Sequence, residues 1–158
     1  MWVKLGSSFA SAFFGLAYAF LTQRNMRIHL LATVLVGLVG WLAVLPAGHW
    51  AALVLAIGFV WAAELFNTAL ESLVDLIEPG YHRLAKVAKN VAAGAVLSSA
   101  LTAITVGLAI LGPRLGLAWQ RLGQMALERR PAFFALILVA GILVWLVLRD
   151  PAHRPNGG

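Results

Sequence analysis

The sequence predicts an all-α integral membrane protein: an N-terminal amphipathic surface helix, a three-span helical bundle and an additional C-terminal apolar helix. Of its 158 residues 61% are hydrophobic and only 11% charged, and the mean hydropathy is +0.88, far from the balance of soluble domains. Uncharged runs of membrane-crossing length recur along the chain between short polar breaks. Four of the six acidic residues, Glu64, Glu71, Asp75 and Glu78, also fall within one otherwise apolar stretch. This length leaves room for one small helical domain and no separate soluble one. The net charge of +6 reads as contact with anionic lipid and as a topology signal. It is not a nucleic-acid patch, because the cations flank apolar runs. The absence of cysteine excludes disulfides, thiolate metal sites and cysteine nucleophiles.

Residues 5–22 are uncharged, with Ser8, Ser11, Gly15 and Ala19 at helical spacing opposite Phe9, Phe13, Leu16 and Phe20. This pattern predicts a helix lying against the membrane interface, its Phe-rich face toward lipid. A span is one alternative. A signal peptide, with Lys4 and Ala17-Tyr18-Ala19 as its marks, ranks last, since the chain beyond Gln23-Arg24 is no soluble mature domain.

Residues 30–47 form an 18-residue uncharged run, enough for a first span. The chain turns at Pro46-Ala47-Gly48 between Trp41 and Trp50, the place of an aromatic belt. That turn carries no Lys or Arg, which places it on the non-cytoplasmic side. A second span from about Trp50 back to Ile77 brings its acidic residues to the cytoplasmic half, and Glu78-Pro79-Gly80 breaks it. Arg83, Lys86 and Lys89 then line one side of a new helix start. The third span, 91–111, offers Gly94/Ser98 and Ala95/Ser99 as small-residue pairs for close helix packing.

Beyond Pro113, Arg114, Arg121, Arg129 and Arg130 punctuate an amphipathic stretch before a last apolar run, 131–148. Three spans from a cytoplasmic N-terminus put that Arg-rich linker outside, against the positive-inside tendency. Trp119 and Trp145 read as interface anchors, His49 as interfacial, and the tail holding His153 as disordered.

Glu64, Asn67, Glu71, Asp75 and Glu78 are spaced i, i+3, i+7, i+11, i+14, so at about 100° per residue they share a stripe roughly 80° wide. Ionisable residues in a span are costly and face a partner helix, water or an ion. Headgroup contact would account for Asp75 and Glu78 but not for Glu64, which has more than three apolar turns before it. Carboxylates facing Lys and Arg in a partly dehydrated pocket can hold a divalent cation and a polyphosphate together, with one carboxylate free to take a proton. Proton or ion translocation would use similar residues. The chain has neither a G-x-x-x-x-G-K-[ST] phosphate loop nor the protein-kinase motif set.

Three blocks, RNMRIHLL at 24–31, AELFNTALESLVD at 63–75 and YHRLAKVAKNVAAGAVL at 81–97, resemble in sequence, order and separation the signature blocks of the prokaryotic diacylglycerol kinase family, which includes undecaprenol kinases. The resemblance covers roughly 9–112. It implies a homotrimer of small subunits, each with a surface helix and three spans, transferring the γ-phosphate of Mg·ATP to a membrane lipid hydroxyl. It further implies a multi-pass protein of the bacterial inner membrane with a cytoplasm-facing site and a kinase domain over 1–112. Outside the resemblance, the sequence itself reads as an amphipathic linker over 113–131, an extra transmembrane helix over 132–149 and a tail over 150–158.

Carried over by position, the resemblance makes Glu64 the general base that meets the acceptor hydroxyl, Glu71 a Mg²⁺ ligand and nucleotide contact, and Asn67 a contact to nucleotide or acceptor. Lys89 would touch phosphate, and Tyr81 and His82 would lie beside the nucleotide. Two departures bear on the metal. Gln23 stands where the family carries a Glu joining Glu71 at the cation, and Asn90 where many members have Asp. Each can still offer an oxygen to metal or nucleotide with one negative charge fewer. Ser7 and Ser11 stand where nucleotide-side basic and aromatic residues are expected, and Lys4 could serve in place of an Arg. His29 belongs to the matched blocks and reads as a hydrogen-bonding residue. The NMRIH and AGAV wording leans toward undecaprenol over diacylglycerol as acceptor. The alternative is a catalytically silent or ion-handling membrane scaffold that keeps the fold.

Overall fold

The structure, a computed structural model, describes residues 2–149. The tail 150–158 with its His153, and the side chain of Lys4, lie outside the described residues. Six helices succeed one another: α1 (Trp2–Thr22), α2 (Arg24–Leu42), α3 (Ala47–Ile77), α4 (Arg83–Leu111), α5 (Leu115–Glu128) and α6 (Arg130–Leu148), with a 3₁₀ turn at Gly112–Arg114. No strand occurs among the described residues. Four stretches are long and apolar enough to cross a membrane, Arg24–Leu42, Ala47–Ile77, Arg83–Glu128 and Arg130–Val147, which fits the expected all-α membrane class.

Helix α1 meets the bundle at its C-terminal end, where Ala19 is buried and Phe20 half-buried, while Phe9 and Phe13 point outward. Ala19 lets the backbone approach there. Of the side expected to face lipid, Phe9 and Phe13 do point outward, while Leu16 and Phe20 turn partly into the bundle, where Phe20 packs on Trp61.

The first span departs from expectation at both ends. It begins at Arg24 and not at residue 30, because the polar RNMRIH segment is helical and completes the first turns of α2. It stops at Leu42, short of Ala47. There Leu45 N–H donates to the Gly40 carbonyl (3.3 Å) and Val44 N–H to that of Trp41 (3.2 Å), the paired bonds of a left-handed helix end. Val44 sits at φ 50°, the only non-glycine residue with positive φ among those described. A β-branched residue is strained in that region. The turn is also tight, since a Cβ on Gly40 would lie 2.9 Å from the Trp50 ring.

Helix α3 buries Leu53, Val60, Glu64, Asn67 and Thr68. Its antiparallel neighbour α4 packs along it through Ala92 and Val96. Of the small-residue pairs expected to carry helix contacts, Gly94, Ala95 and Ser98 are exposed and only Ser99 is half-buried; a Cβ on Gly94 would meet nothing within 4 Å. The larger Ala92/Val96 stripe takes the contact within the chain.

At the Pro46 end, Leu42, Ala43, Leu45, Leu53 and Ala118 form a closed apolar core. Ala118 belongs to α5, which lies across the ends of the spans with Leu122 on the same core. The Arg-rich linker therefore sits at the end opposite the acidic residues. Helix α6 returns from there, and at the far end Arg27 of α2 donates from Nη1 to the carbonyls of Leu146 (3.0 Å) and Arg149 (2.6 Å). Those carbonyls terminate α6 and have no partner within it. The Arg149 guanidinium stacks 5.4 Å from the Trp145 ring centroid.

Candidate active site

Sequence spacing already orients the acidic stripe of α3; packing divides it in two. Glu64 is 1% exposed and Asn67 6%, whereas Glu71 is half-buried and Asp75 and Glu78 are exposed. Burial thus fades over about two turns, as expected of a helix leaving an apolar layer.

Local bonds fix the buried part. Asn67 Nδ2 donates to Glu71 Oε1 at 3.1 Å, one turn along. Thr68 Oγ1 donates to the Glu64 carbonyl at 2.9 Å, and Ser72 repeats this pattern on Thr68. One turn before Glu64, Trp61 Nε1 donates to Thr33 Oγ1 of α2 (3.1 Å), and the Trp61 ring meets Phe20 of α1 edge-on at 5.2 Å. Three helices are therefore pinned beside Glu64. With α2 and α3 antiparallel and Thr33 paired to Trp61, equal rise along both axes brings Arg27 level with Asn67 and Gln23 level with Glu71, to within about a turn. Gln23 is the half-buried N-cap of α2 and makes no capping bond through its side chain.

The buried side-chain polar atoms without a hydrogen-bond partner, among the described residues, are Glu64 Oε2, Asn67 Oδ1, His29 Nε2 and Arg27 Nε and Nη2. Buried polar groups are nearly always paired, so four side chains left open on two adjacent helices are suited to groups from outside the chain. His29, expected to hydrogen-bond, leaves that ring nitrogen open. Arg27 and Thr68 were not singled out as site residues from the sequence; the RNMRIH block held Arg27, but only as a charge.

Other expected residues lie around this centre. Lys89 pairs with Asp75 across the α3–α4 turn, both partly exposed. Tyr81 is exposed at that turn, and His82 caps α4, its Nδ1 accepting from Leu84 N–H at 3.3 Å. Asn90 is exposed on the first turns of α4. Glu64 and Glu71 stand ~10 Å apart along one helix face.

No group of three or more His, Cys, Asp or Glu that could hold a metal occurs among the described residues. Mg²⁺ nonetheless fits, because it is commonly held by one or two carboxylates with substrate phosphates and water completing its shell. Glu71, the open oxygen of Asn67 and the side-chain oxygen of Gln23 are hard donors of the required kind. A groove of about 520 Å³ between α2, α3 and α4 begins beside the site at His29, Thr33, Val60 and Trp61 and is walled almost entirely by apolar side chains.

The chain is 50% identical over 109 residues to a diacylglycerol kinase of Synechocystis, covering 68% of this chain and 62% of that protein. It is 43% identical over 94 residues to an undecaprenol kinase of Bacillus subtilis, covering 60% of this chain and 76% of that protein. The chain thus spans somewhat under two thirds of the cyanobacterial relative. No solved structure matches it significantly. The sequence model of prokaryotic diacylglycerol kinases matches residues 10–111, from within α1 to the end of α4, and includes every site residue described above, so the chain belongs to the prokaryotic diacylglycerol kinase family.

Proposed function

We propose that this protein is a lipid kinase that transfers the γ-phosphate of Mg·ATP to the hydroxyl of a membrane lipid, diacylglycerol or undecaprenol. The observation that carries the reading is Glu64: a carboxylate buried in a span with Oε2 unpartnered. A buried, open carboxylate oxygen is suited to a hydroxyl proton. As the lipid oxygen attacks the γ-phosphorus, Glu64 takes the hydroxyl proton. The bond from the γ-phosphorus to the β–γ bridging oxygen breaks, and ADP leaves with that oxygen.

The other residues hold and orient. Asn67 bridges Glu64 and Glu71 along the helix, using its amide N–H on Glu71 and keeping its oxygen for the acceptor or nucleotide. Glu71, with Gln23 level on α2, would hold Mg²⁺, whose role is to offset phosphate charge. Lys89, kept in place by Asp75, stands on the phosphate side with Tyr81, His82 and Asn90. The apolar groove starting one turn from Glu64 suits the hydrocarbon chain of the acceptor. Two relatives named for different lipids keep both acceptors in the proposal. We take 1–112 as the kinase domain, 113–131 as an amphipathic linker and 132–149 as an extra membrane helix. The protein is read as a homotrimer in the bacterial inner membrane with its acidic site facing the cytoplasm.

The test is phosphoryl transfer from labelled ATP by the purified protein in mixed micelles, offered diacylglycerol and undecaprenol in parallel. Labelled lipid that depends on Mg²⁺ and is lost with chelator is expected. No product from either lipid, with the protein folded, would replace this reading with the silent scaffold, for which Gln23 and Asn90 in place of carboxylates are the reason.

A further inference from the structure

Arg121 of α5 and Arg129 at its C-cap serve neither the acidic site nor the positive-inside pattern, because they lie at the opposite end of the spans. There α5 crosses the Pro46 turn and leaves a cavity of about 590 Å³ between them. Arg121, Gln124 and Arg129 supply its polar wall, Trp41 and Trp50 its aromatic wall, and Glu128 also lines it. Helical spacing brings Arg121, Gln124 and Glu128 to one side of α5, while Ala118 and Leu122 hold another side on the apolar core, and Arg129, the non-helical C-cap of α5, reaches the same cavity from the helix end. Neither arginine has an ion-pair partner among the described residues.

We propose that this cavity binds the headgroup of an anionic glycerophospholipid, a phosphodiester lacking an amine, at the membrane surface opposite the acidic site. The location is one observation: the cavity opens at the turn between the ends of α2 and α3, flanked by tryptophans of the kind that sit at headgroup depth. Charge is the second. Two unpaired guanidiniums against one carboxylate leave a net positive wall, and guanidinium geometry matches phosphate oxygens in pairs. The form of α5 is the third, since a helix with one face on an apolar core and Arg121, Gln124 and Glu128 on a polar face lies naturally in the interfacial plane. The phosphodiester lies between Arg121 and Arg129, Gln124 donates to it, and the Trp41 and Trp50 rings flank the glycerol backbone. Glu128 opposes the anion and limits its affinity.

The experiment is native mass spectrometry of the full-length protein released from detergent, titrated with phosphatidylglycerol and, separately, with phosphatidylcholine of the same chains. Wild type should retain phosphatidylglycerol preferentially. R121Q/R129Q should weaken it by roughly 30-fold, at about fivefold per cation near a lipid phosphate, with phosphatidylcholine unaffected. E128Q should tighten it by about fivefold, a gain that misfolding does not produce and that stands even where the double variant folds poorly. Undiminished phosphatidylglycerol binding by R121Q/R129Q, or weakened binding by E128Q, would overturn the proposal. So would displacement of the lipid by millimolar inorganic phosphate, which would mark a site for a soluble anion, or self-association through α5 with no lipid retained. Every readout is binding, so the outcome stands apart from the kinase assay.

Discussion

Leu53 and Val60 occupy the same stripe of α3 as Glu64, Asn67 and Glu71, and four of these five are buried. Near the Pro46 turn Leu53 meets Leu42, Ala43, Leu45 and Ala118, and the stripe there is filled by apolar contact. In the second half of the helix it carries three carboxylates, Glu64, Glu71 and Asp75, and the Asn67 amide, and buried oxygens of Glu64 and Asn67 remain unpartnered. One helix, by one packing geometry, thus builds a closed plug at one end and an open polar centre at the other. Side-chain chemistry makes the difference, because the backbone periodicity is unchanged. The plug holds the span ends in register, and the polar end can then keep unsatisfied groups that a looser bundle would let turn away.

The comparison breaks first at Glu64. Glu64→Gln preserves shape and removes the proton acceptor; phosphoryl transfer is expected to fall by about 10²–10⁴-fold with folding unchanged, measured with labelled ATP beside a thermal unfolding curve. Activity within a few-fold of wild type would remove Glu64 from the role of base. Leu53→Ala tests the plug. A cavity there should cost about 2 kcal/mol, toward the low end for buried leucine because lipid replaces water around the bundle, read as a lower midpoint in detergent unfolding. The sharper form of this prediction is that residual activity per folded molecule stays normal.

Smaller effects separate the halves further. Gln23→Glu returns a charge level with Glu71 and should lower the Mg²⁺ concentration for half-maximal transfer by about tenfold. An unchanged Mg²⁺ curve would take Gln23 away from the cation. Val44→Gly relieves a positive φ at an exposed residue of the plug's turn. After the loss of chain entropy by glycine, a gain of about 0.5–1 kcal/mol is expected in the same unfolding assay, with transfer rates unmoved.

What the sequence makes legible here is what one helix determines by itself. The acidic stripe comes from spacing, and the greater depth of Glu64 than of Asp75 and Glu78 from the apolar turns that precede it, although the burial that separates them is set by packing. The α2 boundaries do not, because counting uncharged residues leaves out Arg24, Arg27 and His29, whose segment is helical all the same, and because nothing in the composition marks Val44 as a left-handed helix end. Relations between helices are hidden too. Lys89 and Asp75 are 14 residues apart on different helices, and periodicity supplies each one's face but not its partner. The small-residue pairs of α4 mislead for the same reason: they are suited to close packing, yet α3 packs on the neighbouring Ala92/Val96 stripe.

The two bonds from Arg27 to the end of α6 bear on how the chain is made. Arg27 lies in the first block of the family match, while its acceptors, the carbonyls of Leu146 and Arg149, lie well past the last matched position, residue 111. A ribosome lays down the guanidinium 119 and 122 residues before its two acceptors, so during synthesis this half-buried cation waits while the later helices are made. A fragment cut at the end of α4 would reproduce the family's segment but leave that cation permanently in waiting. In this chain α6 completes the first span.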